Sequence, residues 1–192
     1  MKNMTEARRI RRETLTVPRI VKSVLPVPDH QPAESAMNID IQIAEARRIQ
    51  PAMDEVQFGS HVSDHMFLAE YEAGRGWHSP RVQPYGQFQL DPRALVLHYG
   101  QSVFEGLKAY RQADGGIALF RPESNAARLN ASCQRMAMPA LPGALFIEGL
   151  KRLIALEDAW VPATQGAALY ARPIMFACEP VLGVRRSASY QF

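Results

Sequence analysis

IALFRPESNAARLNASCQRM, residues 117–136, decides the architecture because its hydrophobic period changes midway. Ile117 to Phe120 form an apolar run of the kind found in buried strands, whereas Ala126, Leu129, Cys133 and Met136 recur at the spacing of one helix face. Pro122 stands between them, where the first turn of a helix tolerates a residue without an N–H. The stretch reads as a strand over 117–121 running straight into a helix. Strand alternation then puts Arg121 on the face of Ile117 and Leu119. A guanidinium at that junction can hold a phosphate through its planar fork, which favours arginine over lysine. It can equally pair with a carboxylate such as Glu123, or reach solvent from the strand end.

On the N-terminal side, SVFEGLKAYR (102–111) and IALFR flank QADGG, whose Asp-Gly-Gly is a tight-turn signal, so the two extended segments form a hairpin. Further upstream, HMFLAEY (65–71) closes with EAGRGW, and a second extended stretch covers 81–90 before Asp91-Pro92. In the other direction, Phe146, Leu150, Leu153 and Ile154 fall on one face of a second helix that ends before Trp160. Ala168 to Glu179 reads as one further strand. Strands in runs with helices grouped together predict an α+β fold, a largely antiparallel sheet with two helices packed on it.

The chain has 192 residues and is 47% hydrophobic, enough for one core. Its formal charge of +3 is carried by residues 1–36, which hold seven Lys/Arg against four Asp/Glu; residues 37–192 hold fifteen of each. A neutral globular part argues against a nucleic-acid surface. No apolar run approaches the length of a membrane span. The first 36 residues combine basic clusters with prolines and show no sustained period, so they are expected not to pack. They read as a basic leader, with a targeting segment or a nucleic-acid arm as alternatives and Met37 as a second possible start.

Other groupings are less informative. Cys133 and Cys178 fit no ligand spacing and read as reduced, buried thiols of a cytosolic protein. GRGWHS has the glycines of a dinucleotide loop, but Pro80 follows and no helix opens there. His61 and His65 with Asp64 have no further ligand nearby, so no metal site is expected. Tyr170 and Arg172 are two apart on a strand, which projects hydroxyl and guanidinium from one face in a geometry that suits a carboxylate. Tyr99 and Phe104 stand beside Gly100 and Gly106, as a pocket wall or as plain core packing.

Taken together, FGSHVSDHMFLAEYEAGRGW, LDPRALVLHYGQSVFEGLKAYR, LFRPESNAARLNASCQRMAMP, DAWVP and LYARP, in this order, resemble the branched-chain amino acid aminotransferases. These are fold-type IV pyridoxal phosphate enzymes, and the resemblance covers residues 57–192. It implies that the chain is the smaller N-terminal domain of such an enzyme. The expected division is a leader (1–36), an N-terminal arm (37–56), the domain proper (57–180), and the start of the interdomain connection and second domain (181–192). Arg121 matches the arginine that binds the phosphate of pyridoxal 5'-phosphate. Tyr170 and Arg172 match the pair that recognises the distal carboxylate of glutamate or 2-oxoglutarate, and Phe58, Tyr99 and Phe104 match aromatics around the branched side chain. Amino acids and 2-oxo acids are the implied substrates, with a homodimer as the implied assembly and neither nucleic acid nor membrane as a partner.

The resemblance leaves one gap. Transamination needs a lysine to hold the cofactor, and of Lys2, Lys22, Lys108 and Lys151 none matches the family's catalytic lysine. That residue belongs to the second domain, so this chain is expected to be truncated there and inactive alone, GVRRSASYQF leading into a strand that continues. The alternatives are a non-catalytic dimerising or ligand-binding half-domain, or another fold-type IV enzyme such as a D-amino acid transaminase or an aminodeoxychorismate lyase.

Overall fold

The computed structural model describes residues 38–52 and 56–192. Its framework is a hairpin of β2 (His65–Glu72) and β3 (Gly76–Pro84), turned by Gly74 and Gly76, both at positive φ. The extended stretch expected over 81–90 stops at Pro84, and Tyr85–Leu90 joins no strand. Outside β3 lies β1 (Asp40–Ile41), paired parallel to it, while β9 (Ser189–Gln191), β8 (Ile174–Ala177) and β4 (Ser102–Phe104) follow on the other side. The order of this six-stranded sheet is β1-β3-β2-β9-β8-β4, and all but the β1 pair are antiparallel.

A second sheet of three strands has the order β6-β5-β7, from β6 (Ile117–Leu119), β5 (Leu107–Arg111) and β7 (Leu169–Ala171). The β5–β6 hairpin turns at Asp114-Gly115-Gly116 as expected, with Gly115 at φ 83°. Two segments expected to be single strands are broken. Residues 102–111 divide at Glu105-Gly106 and 168–179 divide at Arg172-Pro173, and each break carries the chain from one sheet to the other. The breaks lie side by side, joined by the Glu105 N–H to Pro173 carbonyl bond of 2.9 Å. Proline explains the second, since it cannot donate to a continuing ladder.

Three α-helices and a single 3-10 turn at Asp158–Trp160 complete the fold among the described residues. α1 (Leu95–Tyr99) is short, lies outside the sequence expectation, and ends on Gly100 in the left-handed region. α2 (Pro122–Arg135) buries Ala126, Leu129 and Cys133, and α3 (Gly143–Leu156) buries Leu145, Phe146, Leu150 and Ile154; Leu153 is only half-buried. A bond from the Met138 N–H back to the Cys133 carbonyl, across Ala137 at φ 54°, closes α2 in the manner of a Schellman turn. α2 and α3 pack on each other and, together with the inward faces of the strands, enclose Leu129, Leu141, Met175 and Tyr190 in the core. Each such side chain contributes about 2 kcal/mol by leaving water. The expected α+β architecture is the one found.

Candidate active site

The site lies at the paired breaks. Tyr170 is on β7 just before the step between sheets, and Arg172 follows it; the Arg172 Nε donates to the Tyr170 hydroxyl at 3.1 Å. The guanidinium carbon sits 4.5 Å from the centroid of the Phe104 ring, a cation–π arrangement, and Phe104, on the last position of β4, is 62% exposed. Phe58 meets the Tyr170 ring edge-on with centroids 5.0 Å apart, and is itself 77% exposed. Four of the six expected residues, Phe58, Phe104, Tyr170 and Arg172, therefore form one cluster. Gly106 lets the Tyr170 ring lie over it, because a Cβ at that position would meet the Tyr170 hydroxyl and the ring would have to turn aside.

Tyr99 and Arg121 are placed otherwise. Tyr99 ends α1, exposed, with its ring tilted against His98 at 6.1 Å and no aromatic contact to the cluster. For Arg121 the strand reading is corrected. β6 ends at Leu119, and Arg121 is the N-cap of α2 in the left-handed region (φ 48°, ψ 52°), so it does not share the face of Ile117 and Leu119. Its side chain is exposed, and among the described residues it joins no ion pair; Glu123 does not take it up. A non-glycine residue in this region costs roughly 1–2 kcal/mol, and such strain gathers where a side chain must be aimed. An exposed, unpaired guanidinium at the start of a helix fits a phosphate by charge.

Glu105, Asn125 and Arg128, which the sequence reading passes over, hold the bend to α2. The Glu105 carboxylate accepts from Arg128 Nε at 3.0 Å, Arg128 Nη2 at 2.8 Å and Asn125 Nδ2 at 2.8 Å, while Asn125 also donates to the Gly106 carbonyl at 3.1 Å. Burial works to raise the Glu105 carboxyl, but Arg128, Asn125 and the Gly106 N–H outweigh it and hold the group below its ordinary value. The spacing of Asn125 and Arg128, three apart on one helix face, is the signal from which a shared partner can be read. Through Glu105 the bend that carries Phe104 is tied to the helix that Arg121 caps.

A second polar cluster is closed to solvent. His65 is bonded through Nδ1 to Glu157 Oε1, and its Nε2 accepts from the Ala44 N–H at 2.8 Å. Because Nε2 accepts, the proton is on Nδ1. The Asp64 N–H donates to Glu157 Oε2 at 3.0 Å, and the Asp64 carboxylate accepts from the Arg48 N–H at 2.6 Å and the Trp160 indole at 3.1 Å. His61 is exposed and bonded to Ser60 instead. Among the described residues no group of three His, Cys, Asp or Glu is arranged to hold a metal ion, and no helix is long and apolar enough to cross a membrane. Cys133 is a buried free thiol and Cys178 a half-buried one.

The cluster sets two exposed aromatic rings beside one guanidinium and one hydroxyl, groups whose chemistry suits a small organic anion. No family model matches the chain. It is similar, at 52% identity over 161 residues, to the branched-chain-amino-acid aminotransferase of Mycobacterium tuberculosis (strain CDC 1551 / Oshkosh), an alignment covering 79% of this chain and 44% of that protein. Branched-chain-amino-acid transaminase 1 of Bacillus subtilis (strain 168) is also 52% identical, over 142 residues, with 74% and 40% covered. Among solved structures, the branched-chain amino acid aminotransferase from Escherichia coli has 21% identity and a TM-score of 0.47, covering 66% of this chain and 40% of that one. The sequence identity is decisive: the chain belongs to the branched-chain-amino-acid aminotransferases, a family of enzymes. It spans less than half the length of the curated relatives it matches, 44% and 40%.

Proposed function

We propose that this chain supplies the N-terminal share of a transaminase that moves the amino group of leucine, isoleucine or valine to 2-oxoglutarate with pyridoxal 5'-phosphate. The observation that carries the reading is the Tyr170–Arg172 bond set between Phe58 and Phe104. Alternate half-reactions must accept an apolar side chain and a carboxylate in one place, and this cluster offers both surfaces. The cofactor, when bound, supplies the electron sink that lets an amino group pass between carbon skeletons.

The chain's own residues bind and orient. Arg121 holds the cofactor phosphate, Tyr170 and Arg172 take the distal carboxylate, and Phe58, Tyr99 and Phe104 face the aliphatic chain. Of the described lysines, Lys151 is exposed and paired with Glu148 at 3.0 Å, and Lys108 belongs to the FEGLKAY segment. Neither matches the family's cofactor-holding lysine, so residues 1–192 alone do not turn over. A cytoplasmic homodimer, divided as the sequence reading divides it, is part of the same proposal.

The test is glutamate formation from 2-oxoglutarate by the protein expressed from the complete reading frame containing these residues. Activity with leucine, isoleucine and valine is expected, with none from residues 1–192. A preference for D-alanine would transfer the site to a D-amino acid transaminase, and inactivity of the complete product on every amino donor would leave a binding half-domain. Arg121→Ala is expected to weaken pyridoxal phosphate binding by about 2–4 kcal/mol through loss of charge-assisted hydrogen bonds. Unchanged affinity would remove Arg121 from the site.

A further inference from the structure

The outward face of the three-stranded sheet carries one more group. Along β5, Leu107 and Ala109 are buried while Lys108 and Tyr110 are exposed, so the sheet turns one side to the core and the other to solvent. The register pairs Leu107 with Ala171 and Lys108 with Tyr170, which puts the lysine and the tyrosine opposite each other on the exposed side. The Tyr170 ring leans over Gly106, one step along that face, where a Cβ would meet its hydroxyl. The lysine is therefore left uncovered. It is exposed and, among the described residues, has no ion-pair partner.

Arg172 is in the same condition. Its Nε is bonded to a neutral hydroxyl, and its guanidinium rests on Phe104 and Tyr170 without a carboxylate. Glu105, the acidic residue of this bend, is taken by Arg128 and Asn125. Lys108, opposite Tyr170 in the register, and Arg172, bonded to the Tyr170 hydroxyl, are thus two cations near one tyrosine without an ion-pair partner among the described residues, and long side chains at directly opposed or diagonal sheet positions can converge on one ligand group.

We propose that Lys108 is the second cation of the carboxylate subsite, so that the distal carboxylate of a short dicarboxylate or its 2-oxo acid is held by Arg172 and Tyr170 on one side and by the Lys108 ammonium on the other. This rests on the reading of Tyr170 and Arg172 given above and adds a specificity-determining residue to it. An aliphatic side chain in the same place makes no use of Lys108, whose four-carbon stem can swing to solvent.

NMR titration of the 192-residue chain with glutarate and with 4-methylpentanoate tests it. Glutarate is expected to shift Lys108 and Tyr170 resonances. Lys108→Met is expected to weaken glutarate about tenfold while leaving 4-methylpentanoate within about twofold, the loss of one charge-assisted contact, and Lys108→Arg is expected to restore glutarate. A Lys108→Met chain that binds glutarate like the wild type would overturn the inference. If Arg172→Met then loses glutarate, the Tyr170–Arg172 reading stands without Lys108; if neither substitution matters, both fail. A wild-type chain that does not bind glutarate overturns it as well.

Discussion

His65 and Glu157 are each about 1% exposed at the side chain and spend their polar atoms on each other and on backbone N–H groups of Ala44 and Asp64, whereas Arg172 is exposed and Tyr170 half-buried, with one bond between them. Both clusters pair a cationic or aromatic group with an oxygen. The first is complete: buried polar groups with full partners hold a structure in one arrangement. In the second, Arg172 has a neutral hydroxyl and two aromatic rings for partners and, among the described residues, no carboxylate. Position explains the contrast, since His65 opens β2 and Glu157 follows α3 where they pack together, while Tyr170 and Arg172 lie on the open side of a bend between sheets.

The sharpest way to break the closed cluster is Glu157→Ala. It strips His65 Nδ1 and the Asp64 N–H of their acceptor in the interior, and unfolding of the chain in urea is expected to lose about 3–5 kcal/mol. A loss below about 1 kcal/mol would mean that water reaches these groups and that the contrast with the open cluster is false.

Next in size is Gly149→Ala in α3. A Cβ there would come 2.7 Å from the Phe67 ring, which packs edge-on against Phe192 at 6.1 Å. Overpacking costs about 1–3 kcal/mol and the gain in helix propensity returns about 1 kcal/mol, so a net loss of up to about 2 kcal/mol is expected in the same urea experiment. Stabilisation would show that Phe67 moves aside freely.

Acid sharpens the comparison further. Burial works to raise the Asp64 carboxyl, but the Arg48 N–H, the Trp160 indole and the nearby Arg47 outweigh it and hold the group below its ordinary value. Its contribution to stability is therefore complete above the unfolded value near pH 4 and is lost as pH falls through the lower folded value. Asp64→Asn is expected to flatten the stability profile below about pH 4. A profile that keeps the wild-type slope would place the acid sensitivity elsewhere, with Glu105 and Asp158 as the next carboxyls to substitute, both also held low.

Much of this is legible in the chain, and the exceptions have physical causes. Helices α2 and α3 and the β5–β6 hairpin follow from period and turn residues, because one face of each meets the core, while of β3 only Arg81–Pro84 falls within the stretch read as extended. The two breaks read as continuous strands, although Gly106 and Pro173 mark them, because apolar residues continue on both sides and alternation does not report which sheet a residue joins. Arg121 is misplaced by the sequence pattern for a similar reason, since strand period assigns a face only while the strand lasts and β6 ends two residues earlier. The partnership of His65 with Glu157 spans 92 residues and has no local sign.

The smallest effect on stability is expected at Gly106, and it tells most about the open cluster. Gly106→Ala resembles Gly149→Ala on paper, since each would drive a methyl into an aromatic ring. At Gly149 the ring is wedged beside Phe192 in the core. At Gly106 the atom in the way is the outer end of Tyr170, and the ring can turn toward solvent, so a loss of less than about 1 kcal/mol is expected. Turning carries the hydroxyl away from the Arg172 Nε. The expected signature is therefore a nearly unchanged urea midpoint together with altered Tyr170 and Arg172 side-chain resonances and weaker glutarate binding. If stability falls as far as in Gly149→Ala, Tyr170 is a packed core residue and the cluster is not an open site. If neither stability nor the resonances change, the close approach of Gly106 to Tyr170 does not hold the hydroxyl in place, and its position would then have to come from Arg172 alone.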